Sequence, residues 1–198
     1  MKSELLTRVV EELSKLPSVG ERSALRLALH LLRQPESTSV ALASAIENFR
    51  KNIKYCVRCN NISDSSICPI CSDQSRDNSI ICVVEQVKDV ISIESTGGYN
   101  GLYHVLGGVI SPMQGISPSM LKIDLLAENI SKGVVKEVII ALPSSVEGDT
   151  TVYFIRRKIE QYGVKISVIA RGIGVGEGLD LTDELTLVHA LNNRIPIK

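Results

Sequence analysis

Four cysteines in two tight pairs constrain this chain more than any other feature. Cys56-Val57-Arg58-Cys59 and Cys68-Pro69-Ile70-Cys71 are Cys-x-x-Cys knuckles separated by eight residues. Each knuckle can turn two thiolates toward one point, about 2.3 Å from a tetrahedral ion, and four thiolates leave no open coordination position for chemistry. The loop between them carries Asn60, Asn61, Ser63, Asp64, Ser65 and Ser66. It is too polar to fold on its own burial, so a bound ion would supply most of its folding free energy. An iron–sulfur cluster or a pair of disulfides would use the same residues, but cytosolic disulfides are uncommon and paired knuckles favour zinc. The expectation is one structural Zn2+ held by Cys56, Cys59, Cys68 and Cys71. The fifth cysteine, Cys82, lies in the apolar run 80–84 and reads as a buried thiol.

The two sides of the clip differ in pattern. Before it, Leu5, Leu6, Val9, Val10, Leu13 and Leu16 recur at helical spacing, which predicts a helix over 4–15. Pro17-Ser18-Val19-Gly20 stops that helix. A second one follows, with Ala24, Leu25, Leu27, Ala28, Leu31 and Leu32 as its apolar stripe, until Gln34-Pro35 breaks it. A third helical pattern covers 38–53. After the clip, short β-branched runs at 80–84, 105–106, 138–142 and 166–169 alternate with helical stretches at 119–131, 150–162 and 183–192. That alternation predicts a mostly parallel, helix-covered sheet. The Gly-, Ser- and Pro-rich segment 97–118 reads as a long loop with little regular structure.

The chain of 198 residues has a formal net charge of zero, 22 basic against 22 acidic side chains, and the distribution is uneven. Residues 1–58 hold ten Lys/Arg and six Glu, a net +4, which leaves −4 for 59–198. A basic front and an acidic back suggest two different partners, with polyanion attraction confined to the front; chance segregation of solvated charges gives the same count. No stretch approaches the ~18–20 apolar residues that would span a bilayer. The opening residues lack the apolar run of a signal peptide, so a cytoplasmic location is expected. No feature calls for a membrane or a small-molecule substrate.

In residues 16–28, LPSVGERSALRLA, a small turn lies directly before a helix N-terminus. Unsatisfied amides and the helix dipole there favour an anion, so a DNA phosphate could dock at Ser18 and Gly20 with Arg22 and Arg26 flanking it. Such contacts read the backbone rather than the bases, and binding would weaken steeply with salt. A packed helical hairpin with merely solvated arginines has the same spacing.

The hairpin, the four-cysteine clip, ICVVE at 81–85, GLYHVLGG at 101–108, VEGD at 146–149 and the closing RGIGVGEGLDLTDELTLVHAL occur in the order found in the bacterial recombination mediator RecR family, and the whole chain resembles it. Ser18 stands where that hairpin usually has glycine, and Arg22 where lysine is usual. The resemblance implies a multi-part α+β protein. Its parts would be a helix-hairpin-helix region (1–53), a four-cysteine zinc finger (54–78), a Toprim α/β domain (79–175) and a C-terminal segment forming an oligomer contact (176–198). It further implies a non-catalytic, nucleoid-associated DNA-binding protein of recombinational repair. Such a protein forms a ring-like homo-oligomer, a dimer or tetramer, and works with RecO and RecF partners to help load RecA on gapped DNA.

Glu85 follows the first strand of the sheet, and Glu147 and Asp149 follow the strand at 138–142. Acids at the carboxyl ends of adjacent parallel strands are where such a sheet places a ligand or metal. Toprim enzymes hold Mg2+ with a strand-end Glu and a later Asp-x-Asp pair, but Pro143 and Ser145 occupy the two Asp positions here. With Glu85, Glu147 and Asp149 alone, a two-metal phosphoryl-transfer site is short of oxygen ligands. The acidic edge is therefore expected to be a protein-docking surface or a weak Mg2+ site; solvated loop acids are the plainer reading. The alternatives to a DNA-binding mediator are a Mg2+-dependent Toprim nuclease or strand-transfer enzyme and a zinc-stapled adaptor that binds only proteins. The glycines 172, 174, 176 and 178 lack the Gly-Lys-[Ser/Thr] ending of a P-loop and read as a turn. His30, His104 and His189 are scattered and are assigned to packing or solvent.

Overall fold

The computed structural model describes residues 3–196. Residues 1, 2, 197 and 198, which open the expected first region and close the last, lie outside the described residues. The chain divides into two compact units, Met1–Ile53 and Lys54–Lys198.

The first unit is three helices: α1 (Glu4–Ser14), α2 (Glu21–Arg33) and α3 (Glu36–Asn52). Ser3 starts α1 as an N-cap, its hydroxyl accepting from Leu6 N. α1 packs on α2, whose buried residues are the small Ala24 and Ala28, one turn apart. The connecting turn is closed by the Leu16 and Val19 amides, which donate to the Leu13 and Leu16 carbonyls. Ser18 takes φ +65°, the left-handed region that a glycine occupies without strain. α3 begins two residues before its expected start, directly after Pro35.

In the second unit the clip segment opens with β1 (Lys54–Tyr55) and β2 (Ile62–Ser63), an antiparallel pair, followed by the single turn α4 (Pro69–Ser72). The sheet strands are β3 (Asp77–Val84), β4 (Gly101–Val105), β5 (Glu137–Ala141) and β6 (Lys165–Val168). They lie in the order β4-β3-β5-β6, every neighbouring pair parallel. The helices are α5 (Val87–Glu94), α6 (Ile123–Ser131), α7 (Val146–Ile159) and α8 (Glu184–Asn192). One face of the sheet packs Ile81, Val83, Val138 and Ile140 against Leu126 and Ile130 of α6 and Ile155 and Ile159 of α7. The other packs Cys82, Val84, Tyr103 and Val105 against Val90 of α5. Central strands covered on both sides explain why β3 reads as continuous apolar residues rather than an alternation.

Four sequence expectations change. The stretch 97–118, expected to be loop apart from a short strand at 105–106, contains the longer edge strand β4, which ends at Val105. Its Gly101 leaves no room for a side chain, since a Cβ there would lie 2.9 Å from the Ile80 carbonyl oxygen, and its flanking glycines mask the strand pattern. The short helix α5 is fixed by a capping box, with the Asp89 carboxylate accepting from the Gln86 amide, and such a box needs only two residues. The helix expected at 119–131 starts at Ile123, after a 3-10 turn at Pro118–Met120. The one expected at 150–162 starts at Val146, because Ser145 is its N-cap.

Candidate metal centre and nucleic-acid interface

The knuckles converge. The Sγ atoms of Cys56, Cys59, Cys68 and Cys71 all lie within 4.8 Å of one another, and all four side chains are buried. A tetrahedral ion with sulfur ligands at ~2.3 Å requires sulfur–sulfur edges of about 3.8 Å. The Cys59–Cys68 separation of 3.5 Å is near that edge and far from the ~2.05 Å of a disulfide. Backbone amides already point at sulfur: Cys68 N donates to Cys56 Sγ and Cys71 N to Cys68 Sγ. The thiols also perturb one another. Hydrogen bonds from Cys59 and then Cys71 pull Cys68 down to about 2, whereas the Cys59 thiol is pushed up by hydrogen bonding to Cys68 and Cys71 and by burial. Four buried thiols this close compete for ionisation, a divalent ion would let all four bind as thiolates, and the set fits Zn2+. Cys82 lies apart, on β3, with burial raising its thiol to about 11.

The clip is fastened to the edge strand of the sheet. The Val105 amide donates to the Cys59 carbonyl, and Asn60 Nδ2 donates to the Val105 carbonyl. Asn60 reaches that position from φ +59°, a region asparagine tolerates better than most residues. On the other side Asn129 of α6 donates to the Arg58 carbonyl, and Arg58 Nη1 to the Cys71 carbonyl.

In the first unit, Gly20 is the N-cap of α2 and provides no side-chain cap, so the first amides of that helix remain open. Arg22 and Arg26 are exposed one turn apart. They line a groove with His30 and Arg33, which continue the same helix face. Sequence reading missed Arg33 as a member of this row, although its spacing from Arg26, two turns on, was visible.

The acids at the carboxyl edge of the sheet do not converge. Among the described residues, the four cysteines are the only group of three or more His, Cys, Asp or Glu ligand atoms within 4.8 Å of each other. Glu85 follows β3 half-buried and accepts a hydrogen bond from Gln86 Nε2. Glu147 and Asp149 sit in the first turn of α7. Asp149 is bound by Arg171, whose Nη2 donates to Oδ1 at 2.7 Å. That cation, beyond the end of β6, was missed in the sequence. Pro143 and Ser145 have structural duties: Ser145 Oγ accepts from Gly148 N, and a Cβ on Gly148 would collide with the Pro143 carbonyl oxygen. His104 is fully buried on β4 with Nε2 hydrogen-bonded to the Lys122 carbonyl. Burial pushes it down to about 4, so it is a neutral packing residue at pH 7. Among the described residues no helix is long and apolar enough to cross a membrane.

Family models match in the order of the fold: the RecR helix-hairpin-helix at residues 6–50, the RecR zinc finger domain of the four-cysteine type at 53–73, and the Toprim domain at 79–170. The match to the zinc finger and the convergence of the cysteines together support zinc binding. Proteins named Recombination protein RecR are similar over nearly their whole length. The one from Bacteroides thetaiotaomicron is 52% identical over 97% of this chain and 94% of its own. That of Porphyromonas gingivalis is 51% identical over 97% and 93%, and that of Flavobacterium johnsoniae is 48% identical over 99% and 95%. Half-identity maintained from the hairpin through the clip to the end of the sheet leaves one assignment: the chain belongs to the RecR family.

Proposed function

We propose that this protein is a non-catalytic DNA-binding mediator of recombinational DNA repair. The carrying observation is the hairpin: uncapped amides at the start of α2, with Arg22, Arg26, His30 and Arg33 along one exposed face. Ser18 and Gly20 shape the turn that presents those amides to a phosphate, and the arginines neutralise neighbouring phosphates. One structural Zn2+ on Cys56, Cys59, Cys68 and Cys71 holds the finger (54–78) against the Toprim domain (79–175). The acids Glu85 and Glu147 face a protein partner of the RecO or RecF kind rather than a catalytic Mg2+, since they do not gather with Asp149 into a ligand cluster. The reading includes a ring-like homo-oligomer, dimeric or tetrameric, and apolar residues left outside each unit support it. Leu5 and Leu32 are 81% and 77% exposed in the hairpin, and Leu181 and Leu185 are 77% and 74% exposed in the segment 176–198. Its task is to help load RecA on gapped DNA in the cytoplasm, at the nucleoid.

The test is an Arg22→Ala/Arg26→Ala double variant titrated with duplex DNA at several salt concentrations. Losing two phosphate contacts should reduce the slope of log K against log salt by about 1.8 and weaken binding to all sequences alike. Full affinity with an unchanged slope refutes the hairpin reading. The Toprim match also accommodates an enzyme, and cleavage or nicking of DNA in the presence of Mg2+ or Mn2+ would decide for it.

A further inference from the structure

The acidic back of the chain contains one basic segment. Residues 151–171 carry Arg156, Arg157, Lys158, Lys165 and Arg171 against the single acid Glu160. Three of these cations have carboxylate partners: Lys158 with Asp124, Lys165 with Glu137 and Arg171 with Asp149. Arg156 and Arg157 have none among the described residues, and both are exposed on α7. Beside them lies an exposed aromatic ring. Tyr153 is 60% exposed, one helical turn before Arg157. The Arg157 guanidinium lies 6.0 Å from the Tyr153 ring centroid and its Nη1 donates to the phenolic oxygen at 3.4 Å. The buried stripe of α7, Thr151, Ile155 and Ile159, faces the opposite way. The acids on the outward face are Glu160, one turn beyond, and Asp149, which Arg171 neutralises.

We infer that the Tyr153–Arg156–Arg157 face of α7 is a second nucleic-acid contact, specific for single-stranded DNA. An exposed ring beside two cations without carboxylate partners matches a strand that offers a base face and a phosphate together. A duplex offers its phosphates but keeps its base faces stacked, so the ring gains nothing from it. This inference rests on the proposed DNA-binding function but assigns a different surface, in the unit that does not contain the hairpin.

The chain has no tryptophan, so Tyr153→Trp introduces a single indole at the site. Its emission should fall when oligodeoxythymidylate is added and stay unchanged with heparin, a polyanion without bases. Tyr153→Ala should weaken single-strand binding about five-fold or more with little effect on duplex, while Tyr153→Phe, which keeps the ring, should bind as the unaltered protein does. Arg156→Ala/Arg157→Ala should lower the single-strand salt slope by about 1.4. The inference is overturned if labelled oligodeoxythymidylate binds while the indole emission is unchanged, or if heparin quenches it equally. The same titrations on the Arg22→Ala/Arg26→Ala background separate the two readings. Quenching that persists at unchanged affinity sinks the hairpin and leaves this face standing; lowered affinity without quenching does the reverse. If oligodeoxythymidylate does not bind the unaltered protein, the α7 inference fails.

Discussion

Ser18→Gly should stabilise this protein, and the sign follows from one dihedral angle. Ser18 sits at φ +65° in the turn between α1 and α2. An L-residue in that region carries about 1–2 kcal/mol of conflict between its Cβ and the neighbouring backbone. Glycine removes the conflict but adds about 0.5–1 kcal/mol of backbone freedom that folding must take away. The net gain is about 0.5–1 kcal/mol, a rise of roughly 0.3–0.5 M in the urea midpoint of the hairpin at a typical slope. Far-UV circular dichroism in urea measures it, with Ser18→Ala as the comparison that keeps the Cβ. The turn already has the glycine conformation, so Ser18→Gly should leave DNA affinity within two-fold of the unaltered protein. Equal stability of the glycine and alanine variants would refute the strain argument, and a large change in DNA affinity would show that serine shapes the turn in some other way.

Three further outcomes follow from local geometry. Gly148→Ala should cost about 1–3 kcal/mol or more in chemical denaturation, because the new Cβ would meet the Pro143 carbonyl oxygen far inside van der Waals contact and neither backbone can yield easily. Arg76 donates to Glu94 and holds its carboxyl below the ordinary value of 4.5, with the Tyr103 hydroxyl donating as well. A lowered carboxylate stabilises the fold fully above its unfolded value and stops doing so as pH falls through the folded one. Glu94→Gln should therefore fall short of the unaltered protein most at pH 7, with the gap closing below about pH 4.5 in urea melts at stepped pH; a gap independent of pH would show that charge is not what Glu94 contributes. Metal analysis should find one zinc per chain, lost in Cys68→Ser and retained in Cys82→Ser. Loss in both would place Cys82 in the site.

What the sequence made legible was set by how local each signal is. The clip, the hairpin and the central strands β3 and β5 rest on spacing between residues close in the chain, and each was readable from the pattern. β4 was largely obscured because its first residue is Gly101, whose missing side chain lets the backbone pass close to Ile80 on the neighbouring strand, a contact made across the sheet. α5 was hidden by its length: eight residues with one buried valine give little periodicity to detect. The acids were read as a group because they lie near one sheet edge, yet Asp149 is engaged by Arg171, 22 residues further on. No spacing rule links those two; only the placement of α7 beside the end of β6 does.

The same placement argument gives the metal clip a role beyond closing its own loop. β4 is one of the two edge strands of the sheet, and an exposed edge of a parallel sheet invites pairing with other chains. Here the edge is covered at both ends. Arg76 Nη1 donates to the Gly101 carbonyl at the start of β4, while Cys59 and Asn60 engage the Val105 amide and carbonyl at its end. The second cover exists only while the knuckle holds its shape, since Cys59 and Asn60 lie in a loop whose buried cluster is the four cysteines themselves and whose order therefore depends on the ion. Removing zinc thus frees the polar groups of Val105 at the same moment that it unfolds the clip. The sheet core, built from β3, β5, α6 and α7, does not depend on those contacts. Zinc loss should accordingly leave a folded sheet with an open β4 edge, prone to self-association, rather than an unfolded chain.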